Sequence, residues 1–266
     1  MKIGYCISIK EFNTLIKEKE IDLHEVLGFV DLSGQELMRL EPEEFRSLKK
    51  ELTEREIPCK GVHATFPAEI ALTGRSRDKT LLREYCLELS ERCDQLGLAF
   101  VGIGSPVSRR LTNGYLRQDA DQQMVENLQM FSQIFHTKIL LESLSQEETN
   151  YINSVQSAFW CIKNAGCDRN QSLGLVGDIY HFWKCGEKLE QIPQEVWDQI
   201  HYMHIADPVG RAYLSQATSE AFHNYAVTAM RYCSRADEIA VEAVTENICG
   251  EIRECNKILT RWMKEA

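Results

Sequence analysis

The chain lacks any apolar run of about 18 residues, the length that a transmembrane helix requires. Its first residues, MKIGYCISIKEF, also lack the apolar centre of a signal peptide and are typical of a first core strand. We therefore expect a cytoplasmic protein with no membrane partner.

The chain has fewer basic than acidic residues: it contains 30 lysines and arginines and 40 aspartates and glutamates, which gives a formal net charge of −10. An acidic chain repels phosphate backbones, so we do not expect nucleic acid as a partner. No glycine-rich dinucleotide motif follows the first strand and no P-loop motif occurs, which disfavours a nucleotide-binding fold.

Paired cysteine motifs are absent, although the chain has ten cysteines. Without a CxxC pair the spacing does not suit a zinc site made of thiolates, and a cytosolic protein keeps its thiols reduced. We expect the cysteines to act as small core residues. Cys6 differs, because it lies near the end of the first strand, where a barrel pocket would open.

Short apolar segments alternate with amphipathic helical patterns along the chain. The strand signals lie at 2–7, 27–32, 58–63, 98–103, 138–142, 173–178, 201–205 and 238–243. The helical patterns lie at 9–20, 42–55, 79–96, 118–136, 149–166, 193–199, 218–233 and 246–264. This alternation predicts an α/β fold, a single (β/α)8 TIM barrel domain over residues 1–266.

Four strands in the second half of the chain deliver residue types that bind metals. KILLE ends at Glu142, LGLVGD ends at Asp178, IHYMHI contains His204 and IAVEAV contains Glu242. The strands of a parallel barrel present their C-terminal ends at one face, so these side chains should converge on one divalent ion. Three carboxylates and one imidazole favour Mn²⁺, and Mg²⁺, Co²⁺ or Zn²⁺ also suits this set.

Each of these residues also has a structural interpretation. Glu142 and Glu242 could pair with basic residues of neighbouring strands, since an unpaired buried charge is costly. Asp178 forms a DxxH pattern with His181 and could be a helix N-cap. His204 could be a hydrogen-bonded core histidine. His63 follows the third strand and either faces the pocket, where it would contact substrate, or has a structural role.

The chain resembles the sugar phosphate isomerases and epimerases of the xylose isomerase-like barrel superfamily, near the ketose 3-epimerases and hydroxypyruvate isomerases. The resemblance covers nearly the whole chain and is carried by FPAEIALTG, GSPVSR, LESLSQEETNYINSV, GDIYHFW, HIADPVGR and VEA. It implies a metal tetrad at Glu142, Asp178, His204 and Glu242. It implies substrate contacts at Glu148, His181 and Arg211. Several members carry an Asn-Arg pair where this chain has Ser145 and Gln146.

The resemblance implies an isomerase or epimerase that acts on a small sugar or sugar phosphate by proton transfer next to a carbonyl, through an enediolate. Glu142 and Glu242 would be the two bases, one for each face of the substrate carbon. A keto-cyclitol dehydratase and a non-catalytic sugar-binding barrel are alternatives on the same site. The apurinic-site endonucleases of the superfamily are disfavoured, because this chain is acidic and has only seven histidines. A homo-oligomer is possible.

Overall fold

Eight parallel strands form one closed barrel in the computed structural model, which describes residues 1–18, 22–166 and 171–266. The strands β1 to β8 are Lys2–Ile7, Phe29–Ser33, Cys59–His63, Phe100–Ile103, Lys138–Glu142, Leu173–Asp178, Ile200–Ile205 and Glu238–Val241. Each strand pairs with its neighbour in sequence, and β1 pairs with β8 to close the barrel. The predicted (β/α)8 barrel is therefore confirmed, and no strand bound differs from its prediction by more than two residues.

The helices surround the barrel, and their bounds differ more from the predicted ones. The helices α1 to α11 are Ile9–Leu15, Leu23–Val26, Gly34–Arg39, Pro42–Glu54, Lys79–Leu96, Arg117–Ile134, Val155–Ala165, Ile179–Lys184, Gln194–Trp197, Glu220–Tyr232 and Ile248–Glu265. The predicted helix at 9–20 was too long, since α1 ends at Leu15; residues 19–20 of that prediction lie outside the described residues. The predicted start at residue 149 was wrong, because Ser154 forms a capping box with Ser157 that begins α7.

Large aromatic side chains fill the inside of the barrel. The interior cluster consists of Cys6, Phe29, Phe100, Leu140, Val176, Tyr202 and Ala240. A Cβ atom on Gly4 would lie 2.0 Å from the Phe29 ring, and one on Gly61 would lie 2.4 Å from the Phe100 ring. The two glycines therefore make the room that these rings occupy. All nine cysteines within the described residues are free, and six of them are buried.

The register of the strands brings the predicted ligands to one edge of the sheet. Asp178 in β6 is the register partner of His204 in β7, which in turn pairs with Ala240 in β8, two residues before Glu242. Glu142 ends β5 opposite Val176 in β6. No helix in the described ranges combines the length and the apolar character needed to cross a membrane.

Candidate metal centre and active site

The four predicted metal ligands lie together at the C-terminal edge of the barrel. Each offers one donor atom, and all four atoms lie within 4.8 Å of one another. His204 Nδ1 is 2.8 Å from Glu142 Oε1 and 3.3 Å from Glu242 Oε2. Ligand atoms around one ion lie up to about 4.4 Å apart, given bond lengths of about 2.0–2.2 Å. The set therefore needs only small side-chain movements to hold a divalent cation.

Asp178 combines the two roles that its sequence pattern allows. Its Oδ1 atom accepts hydrogen bonds from the backbone N–H groups of Tyr180 and His181 at 2.7 and 3.3 Å, and so caps α8. Its Oδ2 atom lies 3.5 Å from His181 Nε2 and 4.0 Å from Arg211 Nη2. The cap fixes the carboxylate while leaving its second oxygen on the side of the site.

The burial of several carboxylates at the four-ligand site favours the binding of a cation there. Glu142, Asp178 and His204 are each 4% exposed or less. Burial, and then the charge of Glu142, raises the pKa of Asp178 above its usual range. Burial opposes protonation of His204, but Cys6, Glu242 and Glu142 together raise its pKa well above the ordinary value. Three carboxylate oxygens and one imidazole nitrogen in such surroundings fit a divalent cation.

A second layer of polar groups supports His204 from inside the barrel. The Cys6 sulfur lies 3.5 Å from His204 Nε2, the ring nitrogen that faces away from the carboxylates. Asp31 Oδ2 lies 3.9 Å from the same sulfur and accepts a hydrogen bond from the Tyr202 hydroxyl. Burial raises the pKa of Asp31 to about 7. Sequence reasoning missed Asp31, although a carboxylate within the apolar segment FVDLS is the same signal that identified Glu142.

Arg211 spans the site from the loop after β7. Its Nη1 donates to Glu148 Oε1 at 2.6 Å, and its Nη2 donates to Glu242 Oε2 at 2.7 Å. The guanidinium also lies over the Tyr180 ring, 5.1 Å from the centroid. Burial opposes ionisation of Glu242, but Arg211 and His204 hold its pKa well below the ordinary value. Glu242 is therefore both a predicted metal ligand and the partner of Arg211 in a salt bridge, as its structural interpretation predicts.

His181 is held as a neutral hydrogen-bond donor. Its Nδ1 accepts the backbone N–H of Ser145 at 3.0 Å, so the ring proton lies on Nε2. Burial, and then Arg211, lowers its pKa well below the ordinary value. Within the described residues Nε2 has no hydrogen-bond partner, and it lies 3.9 Å from Glu148 Oε2. This arrangement suits donation to a substrate oxygen.

His63 lines a cavity of about 270 Å³ that opens beside Glu242 and Arg211. Burial lowers the pKa of His63 to about 4, so its imidazole is neutral, and its buried Nδ1 has no partner in the part of the chain that the structure describes. The structure thus gathers the predicted substrate-binding residues around the predicted ligands: His63, Glu148, His181 and Arg211. Their roles stay predictions.

Arg109 is a buried cation at the end of the GSPVSR segment, and no role was predicted for it from the sequence. Its side chain is fully buried behind the site, and its Nη1 donates to the backbone carbonyl of Glu142 at 2.7 Å. Burial lowers its pKa to about 10, and Glu142 is the strongest opposing influence. The guanidinium therefore offsets part of the negative charge of the four ligands.

The sequence from residue 24 to residue 216 matches the family of xylose isomerase-like TIM barrels. The chain belongs to this family. No curated protein matches the chain in sequence.

Solved structures with the same fold include several sugar enzymes. The 3-keto-D-glucoside 4-epimerase YcjR from E. coli is 15% identical over 99% of both chains, with a TM-score of 0.73. D-psicose 3-epimerase from Clostridium cellulolyticum, solved with D-tagatose, is 12% identical over 99% of this chain and 97% of its own, with a TM-score of 0.71. The IolI protein, solved with a zinc atom, is 16% identical over 98% of this chain and 96% of its own, with a TM-score of 0.66. At these identities the likeness shows the fold alone.

Gly104 leaves room for the Glu142 carboxylate in this xylose isomerase-like barrel. A Cβ atom at position 104 would lie 2.5 Å from Glu142 Oε2. We expect Gly104→Ala to displace that carboxylate and to weaken metal binding by about tenfold, the effect of losing ligand orientation. The fold should survive, since the clash is with the end of one side chain. Metal titration and thermal melting measure the two effects, and unchanged metal affinity would argue against Glu142 as a ligand.

Arg211 should contribute to substrate binding without holding the metal. We expect Arg211→Ala to lower kcat/KM by about 10- to 100-fold, the value of one or two charge-assisted hydrogen bonds, with metal content unchanged. Steady-state kinetics and elemental analysis check the two parts. A large loss of melting temperature with near-normal activity in the folded fraction would instead identify a structural bridge between Glu148 and Glu242.

Proposed function

We propose that this chain is a metal-dependent sugar isomerase or epimerase that moves a proton next to a carbonyl. One observation carries the proposal. Two glutamates from separate strands, Glu142 on β5 and Glu242 after β8, approach the same His204 nitrogen at 2.8 and 3.3 Å within one ligand set. Two carboxylates brought to one point from separate strands supply the two bases that a two-base proton transfer requires.

The residues around the pair have complementary roles in this proposal. Glu142, Asp178, His204 and Glu242 would hold the ion. When bound, a divalent ion would supply the positive charge that stabilises an enediolate, and Mn²⁺ is the ion that we expect. His181, with its proton on Nε2, donates a hydrogen bond to a substrate oxygen. Arg211 and Glu148 position the substrate hydroxyls next to the two bases.

Deuterium uptake tests the proposal directly. The purified chain would be incubated with Mn²⁺ in D₂O together with a panel of ketoses, keto acids and inososes. We expect at least one compound to gain one deuterium by mass spectrometry and to be converted into an epimer or an aldose–ketose isomer. The reaction should stop when a chelator is added.

Other outcomes of the same experiment identify the alternatives. Loss of water from an inosose would identify a dehydratase on the same metal site. Binding of a sugar with no deuterium uptake, in a chain loaded with metal, would identify a non-catalytic sugar-binding barrel. Either result would contradict the proposed isomerase.

A further inference from the structure

Cys6 connects a proposed metal ligand to a buried carboxylate in the barrel interior. It lies in β1 opposite Asp31 in β2, its register partner, so the two side chains stand next to each other. Cys6 is buried and Asp31 is fully buried. The Cys6 sulfur lies 3.5 Å from His204 Nε2 and 3.9 Å from Asp31 Oδ2. These three groups form a short chain of polar contacts behind the ligand set, and the proposed function does not use it.

The two nitrogens of the His204 ring face different partners. Nδ1 faces the carboxylates of Glu142 and Glu242, at 2.8 and 3.3 Å, and Nε2 faces the Cys6 sulfur. The Tyr202 ring packs edge-on against the His204 ring, with the centroids 5.5 Å apart. Nδ1 is therefore the nitrogen that would hold the ion, and Nε2 is the nitrogen that a supporting group must hold.

The contact between Cys6 and His204 can form in two ways. In one, the thiol donates its proton to Nε2, and the ring proton lies on Nδ1, where it meets Glu142. In the other, the ring proton lies on Nε2 and the sulfur accepts it. Only the second form leaves a lone pair on Nδ1, and a protonated ring nitrogen cannot bind a metal ion. The direction of this hydrogen bond therefore decides whether His204 can act as a ligand.

Asp31 favours the second form. Its Oδ2 atom accepts a hydrogen bond from the Tyr202 hydroxyl, so this oxygen is an acceptor on the Cys6 side as well. The thiol proton of Cys6 can then point to Asp31 and away from His204, which leaves the sulfur as an acceptor for Nε2. Metal-binding histidines commonly donate their second N–H to a carboxylate, a carbonyl or a water, whereas here a thiol takes that place.

We propose that Cys6 is a positioning residue of the metal centre: its sulfur accepts the Nε2 proton of His204 and so keeps the Nδ1 lone pair directed at the ion. Asp31 acts one step further back, because it takes the thiol proton. The inference rests on the proposed metal centre and adds to it a group that does not touch the ion. A role for the sulfur as a ligand is the competing outcome, since donor atoms of Cys6, His204 and Glu242 also lie within 4.8 Å of one another.

Substitutions at Cys6 test this role through metal affinity, measured by calorimetry with Mn²⁺. Cys6→Ala leaves the Nε2 proton without its acceptor, and we expect Mn²⁺ to bind about 10- to 100-fold more weakly, the usual effect of losing the outer partner of a ligand histidine. Cys6→Ser keeps an acceptor and a donor, so it should restore most of the affinity. Cys86→Ala makes the same change at a fully buried thiol of α5 and should keep the full affinity. Melting curves of the metal-free chains show whether each variant is folded.

A double substitution tests the part that Asp31 plays. The amide of Asp31→Asn can donate to the sulfur in competition with Nε2, so we expect this variant to bind Mn²⁺ about tenfold more weakly. If Asp31 acts through Cys6, the double variant should bind Mn²⁺ no more weakly than Cys6→Ala alone, whereas two independent losses would multiply. Multiplied losses would contradict the link between Asp31 and Cys6.

Two spectroscopic measurements separate positioning from ligation. In the chain labelled with ¹⁵N-histidine and loaded with Zn²⁺, the His204 ring should carry its proton on Nε2, and His204→Ala identifies the signals. A ring protonated on Nδ1 in the loaded chain would rule out the proposed role. A thiolate-to-metal charge-transfer band with Co²⁺, present in the unsubstituted chain and lost in Cys6→Ala, would make Cys6 a ligand and equally rule it out.

The inference and the proposals on which it rests fail in different ways. Full metal binding by His204→Ala would overturn the metal centre and the inference with it. Loss of metal by His204→Ala, together with unchanged affinity in Cys6→Ala or an equal loss in Cys86→Ala, would overturn the inference alone. If Cys6 has the expected effect on metal affinity but no substrate takes up deuterium, the inference stands and the proposed isomerase function is contradicted.

Discussion

Removal of divalent ions from the purified chain should abolish proton exchange and lower its melting temperature. The reason is electrostatic, because Glu142, Asp178 and Glu242 place three carboxylates within 4.8 Å of one another. An ion present at about 100 times its dissociation constant would stabilise the folded chain by about 2.7 kcal/mol. For a chain of 266 residues this corresponds to a rise of several degrees in melting temperature. Elemental analysis and calorimetry with and without a chelator measure both effects.

Two variants and a control make this prediction specific. His204→Ala removes the nitrogen ligand, and Asp178→Asn keeps a side-chain oxygen that can cap α8 while removing the charge. Both should lose the stabilisation by metal. Asp207→Asn is the control, since the Asp207 carboxylate instead accepts the backbone N–H of Val209 and the hydroxyl of Thr218. If both His204→Ala and Asp178→Asn still bind one full equivalent of metal, the ion does not bind at the proposed ligand set.

The barrel could be predicted from the sequence because its strands are buried on both faces. Such strands are continuous apolar runs, as in KILLE and LGLVGD, and turn or helix signals bound them clearly. The residues at their C-terminal ends then share one edge, so Glu142, Asp178 and His204 could be placed together without knowledge of any contact. The longer helices were also predictable, since α5 and α6 span five turns each.

The short helices could not be predicted, because they begin directly at strand ends and are too short to show a pattern of their own. Ser33 is both the last residue of β2 and the N-cap of α3, and Asp178 has the same two roles for β6 and α8. Helices of six residues that begin at a strand end are too short to show a helical period. The consequence is functional, because α8 carries His181, a predicted substrate contact.

The supporting groups of the site depend on tertiary contacts that no local pattern contains. Tyr202 is a core aromatic by sequence, yet its hydroxyl donates to Asp31 on β2, three strands away around the barrel. Arg109 stands next to another arginine in SRRL, and only the fold buries one and leaves the other exposed. Sequence reasoning therefore identified the metal-binding edge but not the buried groups that support it.

Replacing either proposed base by glutamine should stop interconversion of the substrate. Glutamine keeps the shape and one oxygen ligand of glutamate but cannot accept a proton at neutral pH. We expect Glu142→Gln and Glu242→Gln each to lower kcat by about 10²- to 10⁴-fold, the usual contribution of one general base. Glu148→Gln is the matched control, because it removes the negative charge opposite Arg211 Nη1 without touching His204 and should change kcat/KM more than metal content.

The two glutamine variants should differ from each other in a way that assigns the substrate faces. If the reaction is an epimerisation, the remaining glutamate still removes a proton from one face, so one variant should exchange deuterium into one epimer and the other variant into the opposite epimer. Glu242→Gln also weakens the salt bridge to Arg211, so its KM should rise more than that of Glu142→Gln. Full turnover by both variants with metal bound would disprove the two-glutamate mechanism. His63 would then be a better base than His181, because its Nδ1 has no partner in the described residues, whereas Nδ1 of His181 already accepts the backbone N–H of Ser145.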